Sequence, residues 1–252
     1  MDARLQELRR SSDHLRTLVT PLDDAALEAQ AYPTEWSIAQ VLSHIGSGAV
    51  IMQRRLDDGL AGRPFPDDFA PGVWETWNAK SARAMADDAL ISDAALVERL
   101  EGLSEDDLAG FRFRLGPREF DGHGMIGLRL NEHTFHTWDV EVALDPVATL
   151  APGATMLVID NLGFAATFSA RPTDSDRTVT VRTVDPERTF TITLTPDAVT
   201  FAPGNGAAEP DLTLPAEAFA RLVYGRLDRD HTPAFEGDPD LLAELRTAYP
   251  GF

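Results

Sequence analysis

The chain is 252 residues long, 43% hydrophobic and 25% charged, with no cysteine and a formal net charge of -19. So acidic a chain argues against nucleic acid or an anionic membrane as partner, because both need a basic face, and the lack of cysteine excludes disulfides and any thiolate of the protein's own. No apolar run approaches about 18 residues, and the charged amphipathic opening Met1-Asp2-Ala3-Arg4-Leu5-Gln6 does not read as a signal peptide, so a cytoplasmic protein is expected.

Leu5, Leu8, Leu15 and Leu18 recur at helical spacing and predict a helix over 3–19, stopped by Pro21. Residues 22–35 are polar and turn-rich. Ser37 reads as the cap of a helix running to about 58, with Ile38, Val41, Leu42, Ile45, Ala49, Met52 and Leu56 on one broad apolar face. His44 stands beside that face. Gly46 and Gly48 each cost about 1 kcal/mol of helix propensity, and they give a ligand or a neighbouring helix room to approach. Residues 59–71 hold three prolines and two glycines and read as a loop. A long helix is expected over 73–89, carrying Trp74 and Trp77, and a short one over 92–102, capped by Ser92. The segment 104–124 is acidic, then aromatic, then Gly-rich, and is a candidate active-site loop. Leu128, Phe135, Trp138 and Val142 predict a helix over 125–144, ended by Asp145-Pro146, and a further helix is expected over 152–169.

After Arg171-Pro172 the hydrophobic period changes to two. Strands are expected over 178–182, 190–194, 198–201 and 211–214, followed by helices over 216–224 and 238–248. The expected fold class is α+β: a helical domain over 1–172, then a smaller α/β domain over 173–252 built of antiparallel strands and then helices. Both parts are acidic, so charge does not mark the boundary.

The chemistry gathers on residues 129–140. On a helix Arg129, Glu132, His136 and Asp139 follow one another at single turns along one face. Of the six histidines, His14 and His231 read as solvated, and His123 lies in the Gly-rich stretch. His44 on the second helix and the Glu132/His136 pair remain. In an antiparallel bundle two inward-facing helices bring three such ligands to one point. Two imidazoles and a carboxylate suit Zn²⁺ with one coordination position left open; nickel, iron or manganese would accept the same set. The bland alternative pairs Glu132 with Arg129 on a wet face. His133 is a rival ligand but points about 100° away from Glu132. HExxH, P-loop, nucleophile-elbow and dinucleotide signatures are all absent, and Trp36, Trp74, Trp77 and Trp138 read as core.

Trp36-Ser37-Ile38-Ala39-Gln40-Val41-Leu42-Ser43-His44-Ile45-Gly46-Ser47-Gly48 resembles the second-helix signature of the mycothiol-dependent maleylpyruvate isomerase family, within the DinB-like metal-binding superfamily. Glu132-His133-Thr134-Phe135-His136-Thr137-Trp138-Asp139-Val140 resembles its second signature, Glu-x3-His-x2-Asp. The run Leu222-Val223-Tyr224-Gly225-Arg226-Leu227, with Glu236-Gly237-Asp238 and Leu241-Leu242 after it, is similar to the family's small C-terminal domain. The resemblance implies a DinB-like four-helix bundle followed by an α/β domain related to sterol carrier proteins. It also implies that His44, Glu132 and His136 hold a divalent metal and that the thiol cofactor is mycothiol. It does not name the substrate.

The expected function is that of a metal-dependent, mycothiol-using enzyme, in which a metal-bound thiolate adds to a small electrophilic substrate for cis–trans isomerisation or S-transfer. Asp139 would orient a ligand or accept a proton; its alternative is a salt bridge or an interhelical hydrogen bond. Arg129 or Arg226 would hold a substrate carboxylate, the alternative for Arg226 being a structural contact in its own domain. Two other readings use the same residues: a non-catalytic binding module with a structural metal, and hydrolysis by metal-bound water. A monomer or homodimer is expected.

Overall fold

Helix α1 (Ala3–Val19) begins where the Asp2 carboxylate accepts a hydrogen bond from the Arg4 amide, in a computed structural model that describes residues 2–116, 118–206 and 209–251. The turn-rich stretch 22–35 contains a short helix, α2 (Asp24–Glu28), capped by Asp23. Helix α3 (Ile38–Leu60) starts in a capping box: the Ser37 hydroxyl accepts from the Gln40 amide, and the Gln40 side chain accepts from the Ser37 amide. Two of the orphan donors of the first turn are thereby satisfied, which fixes where the helix starts and hence which way His44 points.

The next segment departs from expectation. Helix α4 (Phe69–Asn78) is short, and α5 (Ala82–Glu101) is one continuous helix where two pieces were expected. Ser81 is the cap, accepting from the Ala84 amide. Ser92 sits inside α5 and donates to the Asp88 carbonyl one turn back, a bond that a continuous helix accommodates. Residues 104–124 also have regular structure: α6 (Glu105–Gly110) with its own capping box at Ser104, then a hairpin of β1 (Phe113–Leu115) and β2 (Arg118–Phe120) in which Phe113 faces Phe120. Asp121 caps α7 (Gly122–Leu144) by accepting from the Gly124 amide.

The long helices pack pairwise, α3 against α5 and α7, and α1 against α5 and α7. Leu15, Leu27, Ile38, Val41, Leu42, Ile45, Ala86, Ala89 and Val140 make the buried apolar interior between them. Gly46 lets α3 and α5 meet closely: a Cβ there would lie 2.8 Å from the Ala89 Cα and 2.3 Å from the Trp77 ring. Trp77 and Trp138 are buried, as expected, but Trp74 is 50% exposed.

The chain forms two units, Met1–Ala148 and Thr149–Phe252. The division falls earlier than the 172/173 boundary expected from the change of period. Helices α8 (Pro152–Val158) and α9 (Leu162–Ser169), joined by a 3-10 turn, pack on β5 (Val199–Pro203) and α10 (Ala216–Val223) of the second unit. A change of period marks where helix gives way to strand, not where one core closes and another begins.

The second unit is built on a five-stranded sheet of order β5-β4-β3-β6-β7, with β3 (Arg177–Val184), β4 (Arg188–Leu194), β6 (Leu212–Pro215) and β7 (Glu236–Gly237). Alternating residues face inward: Val179, Val181 and Thr183 from β3, and Phe190, Ile192 and Leu194 from β4. The expected all-antiparallel sheet is corrected at one pair, since β3 and β6 run parallel with Val181 beside Leu212. Strand β6 comes back to the far side of β3 by a crossover, so it cannot join as a hairpin partner. Helix α11 (Pro239–Ala248) follows β7, so the last strand lies between the last two helices.

Candidate metal centre

His44 projects from α3, and Glu132 and His136 project one turn apart from α7. The His44 Nε2 lies 3.0 Å from the Glu132 Oε2, and the His136 Nε2 lies 3.7 Å from the same oxygen. All three donor atoms are within 4.8 Å of one another, and the two imidazole centroids are 4.5 Å apart. Donors about 2.1 Å from a shared ion in tetrahedral geometry sit about 3.4 Å from one another, a spacing the two shorter separations bracket. Two imidazole nitrogens and one carboxylate oxygen are also the donor chemistry of a three-ligand catalytic site. The residues therefore fit a divalent ion.

The cluster is buried on one side and open on the other. The His136 side chain is 11% exposed, whereas those of His44 and Glu132 are 39% and 46% exposed. On the buried side the His136 Nδ1 lies 2.8 Å from the Asp139 Oδ2. A carboxylate in that place holds a proton on Nδ1, which leaves Nε2, on the side of Glu132 and His44, as the nitrogen that would meet an ion. Burial acts to raise the Glu132 pKa, but the hydrogen bond from His44 and the charges of His136, His44 and Arg129 outweigh it and hold the carboxyl at about 2. The group is thus an anion, ready as a ligand, at any ordinary pH.

Trp36, read from sequence as a core residue, lines this site. Its ring lies 5.4 Å from the His44 ring, and 6.1 Å from that of His136 with an interplanar angle of 25°. The available signal was its position just ahead of the Ser37 cap, which puts it at the end of α3 from which His44 is reached in two turns.

Arg129 does not meet the expectation of a substrate-facing guanidinium. It is 2% exposed; its Nη2 donates to the Asp93 Oδ1 at 2.7 Å and to the Ile45 carbonyl at 3.0 Å. The alternative pairing of Glu132 with Arg129 is not formed either, because Asp93 takes the guanidinium. His133, the rival ligand, is wholly buried, with its Nε2 3.0 Å from the Asp93 Oδ2. Asp93 also accepts from the Ser12 hydroxyl at 2.5 Å. Burial pushes its pKa up, but His133, Arg129 and Ser12 together bring it far below the usual carboxylate range.

Arg226 belongs to the second unit, where its Nη1 donates to the Tyr224 carbonyl at 3.0 Å. The remaining histidines have partners of their own: His14 with Glu141, His231 with Asp228, and His123 with both Asp2 and Glu105.

The family model for the mycothiol maleylpyruvate isomerase N-terminal domain matches residues 8–141, a stretch that contains all three donors. No curated protein matches the chain. Two solved structures are similar to it. One is a crystal structure of the mycothiol-dependent maleylpyruvate isomerase, at 14% identity, a TM-score of 0.66 and coverage of 90% of each chain. The other is a histidine-to-alanine mutant of that enzyme, at 13% identity with the same TM-score and coverage. At such identities the likeness is one of fold.

Proposed function

This chain belongs to the mycothiol-dependent maleylpyruvate isomerase family, and from that premise we propose that it is a metal-dependent enzyme using a low-molecular-weight thiol, mycothiol, to isomerise a small unsaturated electrophile. The observation that carries the reading is the convergence of His44, Glu132 and His136 from two helices, with the open side at His44 and Glu132. When bound, a divalent ion would lower the pKa of a coordinated thiol, whose addition to an unsaturated carbon and later departure would let a double bond rotate.

The protein's own residues prepare that chemistry. His44 and His136 supply neutral nitrogens and Glu132 a single negative charge, so a divalent ion would keep a net positive charge to attract a thiolate. Asp139 orients His136. The Trp36 ring stands beside both imidazoles. The donor set favours Zn²⁺ among the candidate metals. Arg226 is retained as the proposed holder of a substrate carboxylate, and S-transfer is the variant reaction in which the thiol stays on the product. The proposed architecture is a DinB-like four-helix bundle followed by a domain resembling sterol carrier proteins, working in the cytoplasm as a monomer or homodimer.

The test is metal analysis of purified protein with a thiol titration. About one divalent ion per chain is expected, with a thiol-dependent change in the visible spectrum of the Co²⁺-substituted form. His44→Ala should lose the ion. An unchanged metal content in His44→Ala would refute the centre, and a metal that ignores added thiol would refute the thiol chemistry in favour of a structural ion.

A further inference from the structure

Three donors on two helices can share an ion only if the helices hold a fixed axial position and rotation relative to one another. Apolar packing tolerates sliding by fractions of an ångström, and metal–ligand distances do not. The structure provides a polar tie at that place. Arg129 lies on α7 one turn before Glu132, and its Nη2 donates to the carbonyl of Ile45, the residue that follows His44 on α3. The tie therefore joins the two ligand-bearing helices beside the ligands themselves.

Arg129 is held in turn by Asp93 on α5, with 2.7 Å between Nη2 and Oδ1. The other Asp93 oxygen accepts from Ser12 on α1 and lies 3.0 Å from the His133 Nε2 on α7. The His133 Nδ1 lies 2.7 Å from the Ser11 hydroxyl and 3.0 Å from that of Thr137. One buried carboxylate and its guanidinium thus bond to all four long helices of the first unit. Helix α3 makes room for this: a Cβ on Gly48 would lie 3.3 Å from the Arg129 Nη1. A glycine that weakens the helix is kept where the guanidinium passes.

We propose that the Asp93–Arg129 pair is the positioning device of the metal centre, setting the α3–α7 register in which His44, Glu132 and His136 share one ion. The proposal rests on the metal reading above. Neither residue is a ligand; both act through the helices that carry the ligands.

The test compares Co²⁺ binding to full-length wild-type protein, to the double variant Arg129→Met with Asp93→Asn, and to Arg129→Lys. The double variant removes both buried charges together, so neither is left alone in the interior. Val97→Ala, on the same helix as Asp93 and wholly buried, controls for a general loss of stability. The double variant is expected to bind Co²⁺ about tenfold or more weakly, as outer supports of a metal site do, with a shifted visible ligand-field spectrum and a retained helical circular dichroism. Val97→Ala should keep both the wild-type affinity and the spectrum. Arg129→Lys should recover part of the affinity, since an ammonium keeps the charge but cannot reproduce the planar fork. Wild-type affinity and spectrum in the double variant would overturn the proposal and leave the metal centre standing, as would equal weakening in Val97→Ala. If the double variant does not fold, Arg129→Lys decides, and an unchanged spectrum there overturns the proposal. Wild-type protein that binds no Co²⁺ would overturn this proposal and the metal reading together.

Discussion

The Asp139 Oδ2 lies 2.8 Å from the His136 Nδ1, and the carboxylate that makes this contact has no exposed surface. A buried carboxylate on the far nitrogen of an imidazole fixes its tautomer and raises its basicity as a ligand. Asp139→Asn keeps the shape of the contact and removes its charge. Metal affinity is expected to fall about 10–100-fold, measured by competition with a chelator of known affinity. An unchanged constant would reduce Asp139 to a structural hydrogen-bond partner.

Acid stability should carry the signature of Glu132. Its carboxyl titrates at about 2 in the folded chain against 4.5 as an ordinary glutamate. A depressed carboxylate pKa stabilises the fold above the unfolded value, and that contribution is lost as pH falls from about 4.5 toward 2. The side chain is 46% exposed, so solvent screening makes the effect modest. In metal-free protein, Glu132→Gln should therefore lose less urea resistance than wild type between pH 7 and pH 3. Parallel losses in the two proteins would contradict the electrostatic picture of the site.

Gly46→Ala tests the close approach of α3 and α5. The added methyl meets the Trp77 ring and the Ala89 backbone at distances that real Cβ atoms do not adopt. The ring is flanked by packed neighbours and the backbone belongs to a helix, so neither yields cheaply. A destabilisation of about 1–3 kcal/mol is expected, as for overpacked cores in general, seen as a lower thermal midpoint despite the better helix propensity of alanine. A rise in the midpoint would show that the two helices have slack.

Much of the site was legible in the sequence because it rests on local rules. Ser37 announces the start of α3 as its cap, and the spacing of Glu132 and His136 on α7 follows from 3.6 residues per turn. The period-two strands were legible for the same reason. What sequence reading missed depends on contacts between distant segments. Arg129 looked available because its partner is 36 residues away on another helix. Asp93 did carry a signal: Ala89, Leu96, Val97 and Leu100 share its face of α5 and are all buried, so an acid in that register had to be paired. Ser92 reads as a cap, yet it lies inside a helix that starts ten residues earlier.

The arrangement around Asp93 has a bearing on how this protein tolerates change. Ser12 is on the opening helix, 32 residues before the first histidine of the cluster, and nothing about its neighbourhood in the chain suggests catalysis. Yet its hydroxyl steadies the carboxylate that steadies the guanidinium beside both ligand-bearing helices. Drift at such a serine would be felt at the candidate metal centre, so proximity along the polypeptide is a poor guide to which positions can vary freely.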